Sequence, residues 1–125
     1  MTRILVVEDQ EDNRQILRDL LASVDYEMIE AENGEEALAA VAEHRPDLIL
    51  MDIQLPIMDG YEATRRIKAD PSTRGIPVIV VTSYALSGDE LKARDAGCDA
   101  YVTKPYSPRQ LLAKIREHLP NKESS

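Results

Sequence analysis

Five residues with reactive or ionic side chains follow short apolar runs. Glu8 and Asp9 follow Ile4-Leu5-Val6-Val7, Asp52 follows Leu48-Ile49-Leu50-Met51, Thr82 follows Val78-Ile79-Val80-Val81, and Lys104 comes just after Ala100–Val102. Taken singly, each has a plain reading: an acid there caps a helix or closes a turn, Thr82 ends a strand, and Lys104 faces solvent. Taken together they form a chemical set. Three carboxylates with no His or Cys beside them are hard oxygen donors, suited to Mg²⁺ rather than Zn²⁺. Lys104 is a compact cation for a phosphoryl oxygen, and Thr82 can donate a hydrogen bond to another. A carboxylate attacking an anionic phosphoryl group works against about 1 kcal/mol of repulsion at 4 Å in bulk water and about 4 at a protein surface. Mg²⁺ and Lys104 would turn that into attraction. Asp52, on the middle run, is the natural nucleophile of the set.

The apolar runs are continuous rather than alternating, the pattern of parallel strands buried on both faces. Tyr26–Glu30 alternates and Ala100–Val102 is short, and both are weaker strands. Helical periodicity fills the gaps. Ile16, Leu17, Leu20, Leu21 and Val24 share one face, and Leu111, Leu112, Ile115 and Leu119 share another. Asn33-Gly34-Glu35-Glu36 opens a helix that Pro46 stops after His44, and Gly60–Lys68 is a further helix ended by Asp70-Pro71. Ser87-Gly88-Asp89-Glu90 and Ser107-Pro108-Arg109-Gln110 are capping boxes. Five β-α repeats predict a doubly wound α/β fold with helices on both faces of a parallel sheet. Ligands of such sheets bind beyond the carboxyl ends of the strands, where the five residues stand.

The chain has 125 residues, 43% hydrophobic and 30% charged, the size and composition of one ordinary globular domain. Residues 1–120 make the domain and 121–125 a tail. A net charge of −8 is the wrong sign for direct nucleic-acid binding. No segment approaches the roughly 18 uninterrupted apolar residues of a membrane span. The single Cys98, without a partner, fits a reducing, cytoplasmic setting.

At these residues the chain resembles the response-regulator receiver domain, over roughly Thr2–Leu119. The matching segments are Val6–Asp9, Met51–Gly60, Val81–Ser83 and Ala100–Pro105, in the family's order and spacing. Met51–Pro56 and Gly97–Tyr101 are similar to the DivK-like single-domain regulators. The resemblance implies a flavodoxin-like fold of five parallel strands and phosphorylation of Asp52 by a histidine kinase or histidine phosphotransfer protein. It implies Mg²⁺ held by Glu8 or Asp9, by Asp52 and by the backbone carbonyl of Gln54. Thr82 and Lys104 would contact the phosphoryl group, and Tyr101 would be a switch following Thr82. Signalling would run through protein contacts at the helix 4–strand 5–helix 5 face, from a monomer or a phosphorylation-dependent dimer, without turnover of a separate substrate. The chain departs from the family's usual pattern at Ser83 and Glu8. Ser83 replaces a tiny residue and narrows access to Asp52, Glu8 is one carbon longer than the commoner Asp, and Gln54 and Tyr84 stand where phosphoryl lifetime is tuned.

Other residues read more plainly. Cys98 is a small buried filler, His44 and His118 cap helix ends, Arg65-Arg66-Lys68 is a solvated helix face, and Met51 and Met58 pack. Tyr84 and Leu86 suggest a partner surface. A Mg²⁺-dependent phosphatase with an Asp nucleophile would need a second acid at position 54, where Gln54 stands. No Gly-rich phosphate loop follows any strand, which excludes the common nucleotide folds. A receiver excised from a larger regulator or hybrid kinase is the alternative to a stand-alone regulator.

Overall fold

The computed structural model describes residues 2–82 and 89–119. Five strands alternate with five helices: β1 (Arg3–Val7), α1 (Glu11–Ala22), β2 (Glu27–Ala31), α2 (Gly34–His44), β3 (Leu48–Asp52), α3 (Gly60–Ala69), β4 (Val78–Thr82), α4 (Asp89–Ala96), β5 (Ala100–Thr103) and α5 (Pro108–His118). The sheet is wholly parallel in the order β2-β1-β3-β4-β5.

Covering helices on both faces explain why the central strands read as unbroken apolar runs. Leu5, Val7, Ile49, Met51, Val78 and Val80 point to the face covered by α2, α3 and α4, where they meet Val41, Ala63, Ile67 and Ala93. Ile4, Val6, Leu48, Leu50, Ile79 and Val81 point to the other face, against Leu17 and Leu21 of α1 and Leu111 and Ile115 of α5. With successive side chains facing opposite ways, a strand covered twice has no polar position left to alternate.

Local signals set the helix ends. The Asn33 side chain accepts from the Glu36 amide at 2.8 Å and that of Asp59 from the Glu62 amide at 2.9 Å. Ser107 accepts from the Gln110 amide at 3.0 Å, with Pro108 opening α5. The helix α2 stops on Arg45 in the left-handed region (φ 48°), just before Pro46. The Ser87 capping box lies outside the described residues.

Two expectations are corrected. The buried line of α1 is Arg14, Leu17 and Leu21. Ile16, one residue and about 100° off that line, is 58% exposed, and Val24 falls beyond the helix end. Lys68 is not on the solvated face. Its ammonium is drawn in to the Arg74 and Ile76 carbonyls at 3.0 and 2.8 Å and to Asp99 Oδ2 at 2.8 Å, whereas Arg65 and Arg66 stay exposed.

Candidate functional site

The chain leaves β1 for β2 on one side and returns to β3 on the other, so the strand order reverses between β1 and β3. Val7 pairs with Met51, which brings the next residues, Glu8 and Asp52, side by side at the carboxyl edge. On the far side of β3, Asp52 pairs with Val81, and Thr82 pairs with Thr103. The Lys104 amide then donates to the Thr82 carbonyl at 2.7 Å, carrying the β4–β5 pairing one residue past the strand end. Glu8, Asp52, Thr82 and Lys104 therefore converge as the sequence predicts, with Asp9 at the rim.

Lys104 Nζ lies 3.2 Å from Glu8 Oε1 and 3.3 Å from Asp52 Oδ2. The other oxygens are held by backbone: the Gln10 amide donates to Glu8 Oε2 at 3.1 Å and the Gln54 amide to Asp52 Oδ1 at 3.2 Å. Glu8, Asp52 and Thr82 are buried. One ammonium between two buried carboxylates leaves negative charge uncompensated. Burial and the neighbouring Glu8 carboxylate push Asp52 up to about 6, against the pull of Lys104. Glu8 is raised by burial, but its hydrogen bonds with Asp52 and the Gln10 amide, together with Lys104, bring it net below the usual range.

Carboxylate oxygens of Glu8, Asp9 and Asp52 lie within 4.8 Å of one another. All are hard donors, and the excess negative charge calls for a cation, so the residues fit Mg²⁺. A cavity of about 570 Å³ leads to them from the α1–α5 side, walled by Ile16, Leu17, Tyr106 and Leu111 with Glu8, Asp52 and Lys104 at its polar end.

Gly60 brings the β3–α3 connection back onto the site. Its amide donates to the Ile53 carbonyl at 3.0 Å, and a Cβ there would run into the Asp52 carbonyl. Tyr101 is half-buried, beside Val80 in the sheet and against the core under α2–α4. Ser83, Tyr84 and Leu86, expected to shape access, phosphoryl lifetime and a partner surface, lie outside the described residues, as does the tail 121–125.

Sequence reasoning missed Arg14. The guanidinium is buried beneath the site, and Nη1 donates to the Glu8 carbonyl at 2.7 Å. Its signal was there: Arg14, Leu17 and Leu21 hold the i, i+3, i+7 spacing of one buried helical stripe.

Residues 4–116 match the family model of the response regulator receiver domain. The polar-differentiation response regulator DivK of Brucella anthropi is 48% identical over 116 residues, covering 93% of this chain and 94% of its own. The receiver domain of a signal transduction histidine kinase from Syntrophus aciditrophicus superposes with a TM-score of 0.91 at 33% identity, covering 100% of this chain and 97% of its own. The receiver domain of a sensor histidine kinase from Pseudomonas aeruginosa PAO1 superposes with a TM-score of 0.88 at 35% identity, over 94% of this chain and 97% of its own. That structure holds a magnesium ion coordinated in its active-site cleft. Among the described residues of the present chain, no helix is long and apolar enough to cross a membrane.

Proposed function

The chain belongs to the response regulator receiver domain family, a two-component signalling fold whose partners are histidine kinases, and from that membership we propose that Asp52 is its phosphoacceptor. An Asp52 carboxylate oxygen forms the new O–P bond as the P–N bond of a donor phosphohistidine breaks, the imidazole leaving with the electron pair. The donor is a histidine kinase or a histidine phosphotransfer protein. The observation that carries this reading is the placement of Asp52. It is a buried carboxylate at the strand-order reversal, 3.3 Å from the Lys104 ammonium, at the end of an open cavity.

Glu8, Asp9, Asp52 and the Gln54 carbonyl are the groups that would hold Mg²⁺. The ion, when bound, supplies positive charge against the carboxylates and the phosphoryl oxygens. Lys104, already at Asp52, neutralises another phosphoryl oxygen, and the Thr82 hydroxyl, when turned to the acyl phosphate, takes a further one. Phosphorylation adds about −1.5 to −2 charge. Tyr101, opposite Val80 and so diagonal to Thr82 across the β4–β5 pair, follows that change and alters the face of α4, β5 and α5 for a downstream protein. Fully reversing a 1:99 population would need about 5.5 kcal/mol of differential stabilisation, so phosphorylation shifts the balance in part and partner binding completes it. The chain acts as a cytoplasmic regulator, and its chemistry is confined to phosphorylation and autodephosphorylation of itself.

Acetyl phosphate with Mg²⁺, followed by intact-protein mass spectrometry, tests the proposal. One labile phosphoryl group is expected on the wild type and none on Asp52→Asn. Incorporation that persists in the variant would refute Asp52 as the acceptor, and multiple turnover of free phosphoester would favour a phosphatase.

A further inference from the structure

Arg14 is the one charged residue on the buried stripe of α1, and its three nitrogens reach three different elements. Nε binds Glu30 Oε1 of β2 at 3.0 Å, Nη2 binds Glu11 Oε1 of α1 at 2.7 Å, and Nη1 donates to the Glu8 carbonyl at 2.7 Å. Glu32 Oε2 is 3.6 Å from Nη2. Three carboxylates to one guanidinium leave the charge well compensated, so the burial is tolerated. The fork is also directional. With Nε and Nη2 committed to carboxylates, Nη1 points in one fixed direction.

The bond made by Nη1 occupies a particular place. The strand β1 ends at Val7, and although the Glu8 amide still donates to the Ala31 carbonyl at 3.0 Å, the Glu8 carbonyl belongs to no strand ladder. That carbonyl lies in the peptide joining Glu8 to Asp9, two of the three acids of the cation site. Rotating this peptide would swing Asp9 away from Glu8 and Asp52.

We propose that Arg14 is a positioning residue for the divalent-cation site, holding the Glu8–Asp9 peptide through the Glu8 carbonyl so that the two acids face one ion. This rests on the reading of Glu8, Asp9 and Asp52 as Mg²⁺ ligands. Mg²⁺ demands near-ideal octahedral geometry, whereas Ca²⁺ accepts a looser and larger oxygen shell. Arg14 therefore contributes more to Mg²⁺ affinity than to Ca²⁺ affinity. Arg18 is the internal control. It binds the same Glu30, at 2.7 Å, and Glu11, at 3.4 Å, and its further hydrogen bond goes to Gln15 Oε1 at 2.6 Å rather than to the Glu8 carbonyl.

The test is an amide NMR titration with MgCl₂ and with CaCl₂ of wild type, Arg14→Met, Arg14→Lys and Arg18→Met, well below each unfolding midpoint. Arg14→Met is expected to weaken Mg²⁺ binding about tenfold or more, the usual cost of removing a group that orients a ligand, and to weaken Ca²⁺ binding less. Arg14→Lys keeps the charge among the carboxylates without the fork and is expected to lose Mg²⁺ affinity too, so it decides the matter should Arg14→Met not fold. Arg18→Met is expected to match wild type. Mg²⁺ affinity unchanged in Arg14→Lys, or equal losses for both ions, would overturn the positioning role while leaving the metal site standing. Failure of wild type to bind Mg²⁺ would remove the metal site and the role of Arg14 together.

Discussion

Lys104 and Asp52, separated by 52 positions in sequence, meet at 3.3 Å through Asp52 Oδ2, while the same ammonium lies 3.2 Å from Glu8. The lysine is thus shared between two carboxylates. An opposite charge within about 4–6 Å typically lowers a carboxyl pKa by about 1–3 units. Lys104→Met is therefore expected to raise the Asp52 carboxyl by that order above its present value of about 6, read by carboxyl ¹³C NMR in metal-free protein. A titration unmoved by the substitution would show that the contact has no electrostatic weight.

Asp52 also makes stability depend on pH. Its folded pKa, raised to about 6 chiefly by burial, exceeds the ordinary 3.8, so between those values the folded state keeps a proton that the unfolded chain has released. This group's contribution to stability therefore falls as pH rises through the window, and the full penalty is present above about 6. Asp52→Asn removes it. Metal-free Asp52→Asn is expected to match wild type near pH 4 and to be more stable by on the order of 2–3 kcal/mol at pH 7. Urea unfolding at both pH values checks this, and a gap that shrinks with rising pH would contradict it.

With Asp52 as a Mg²⁺ ligand, as proposed above, the ion and the proton would compete for the same carboxylate. Apparent Mg²⁺ affinity is expected to be flat above about pH 7 and to fall below about pH 6, approaching tenfold per unit where one proton must leave. Calorimetric titrations across pH 5–8 measure the slope.

Gly60 faces the Asp52 backbone with no space for a Cβ. Alanine is intrinsically the better helix former, so propensity alone predicts stabilisation by Gly60→Ala. The structure predicts the opposite: a loss of about 1–3 kcal/mol, as in other overpacked sites, together with weakened Mg²⁺ binding. Stability equal to or above wild type would refute the close approach.

The displaced Lys68 supplies a stability test remote from the site. Its ammonium ties α3 to the Arg74 and Ile76 carbonyls and to Asp99, whose Oδ2 also accepts from the Val78 amide at 2.8 Å. Lys68→Ala is expected to cost about 1–2 kcal/mol, against less than about 0.5 for Arg65→Ala, an exposed residue paired with Glu62 along its own helix. Equal effects in thermal melts would return Lys68 to the solvated face.

Much of this protein was legible from its residues in order. Ile4–Val7, Leu48–Met51 and Val78–Val81 announce doubly covered strands because burial on both faces leaves no polar alternation. Asn33 and Ser107 mark helix starts because their side chains serve backbone amides three residues away. The reactive set was readable because a doubly wound sheet places whatever follows its strands on one edge. What neighbours in sequence do not determine is where a charge goes. Arg14 and Lys68 are buried or drawn in by carboxylates and carbonyls from other elements, and Ile16 is left outside because Arg14 rather than an apolar residue completes the buried stripe. The affinity of Asp52 for its proton was likewise decided only by folding. It arises from burial and from charges brought over 40 and 50 positions by strand register, and electrostatic energy depends on distance in space rather than along the chain.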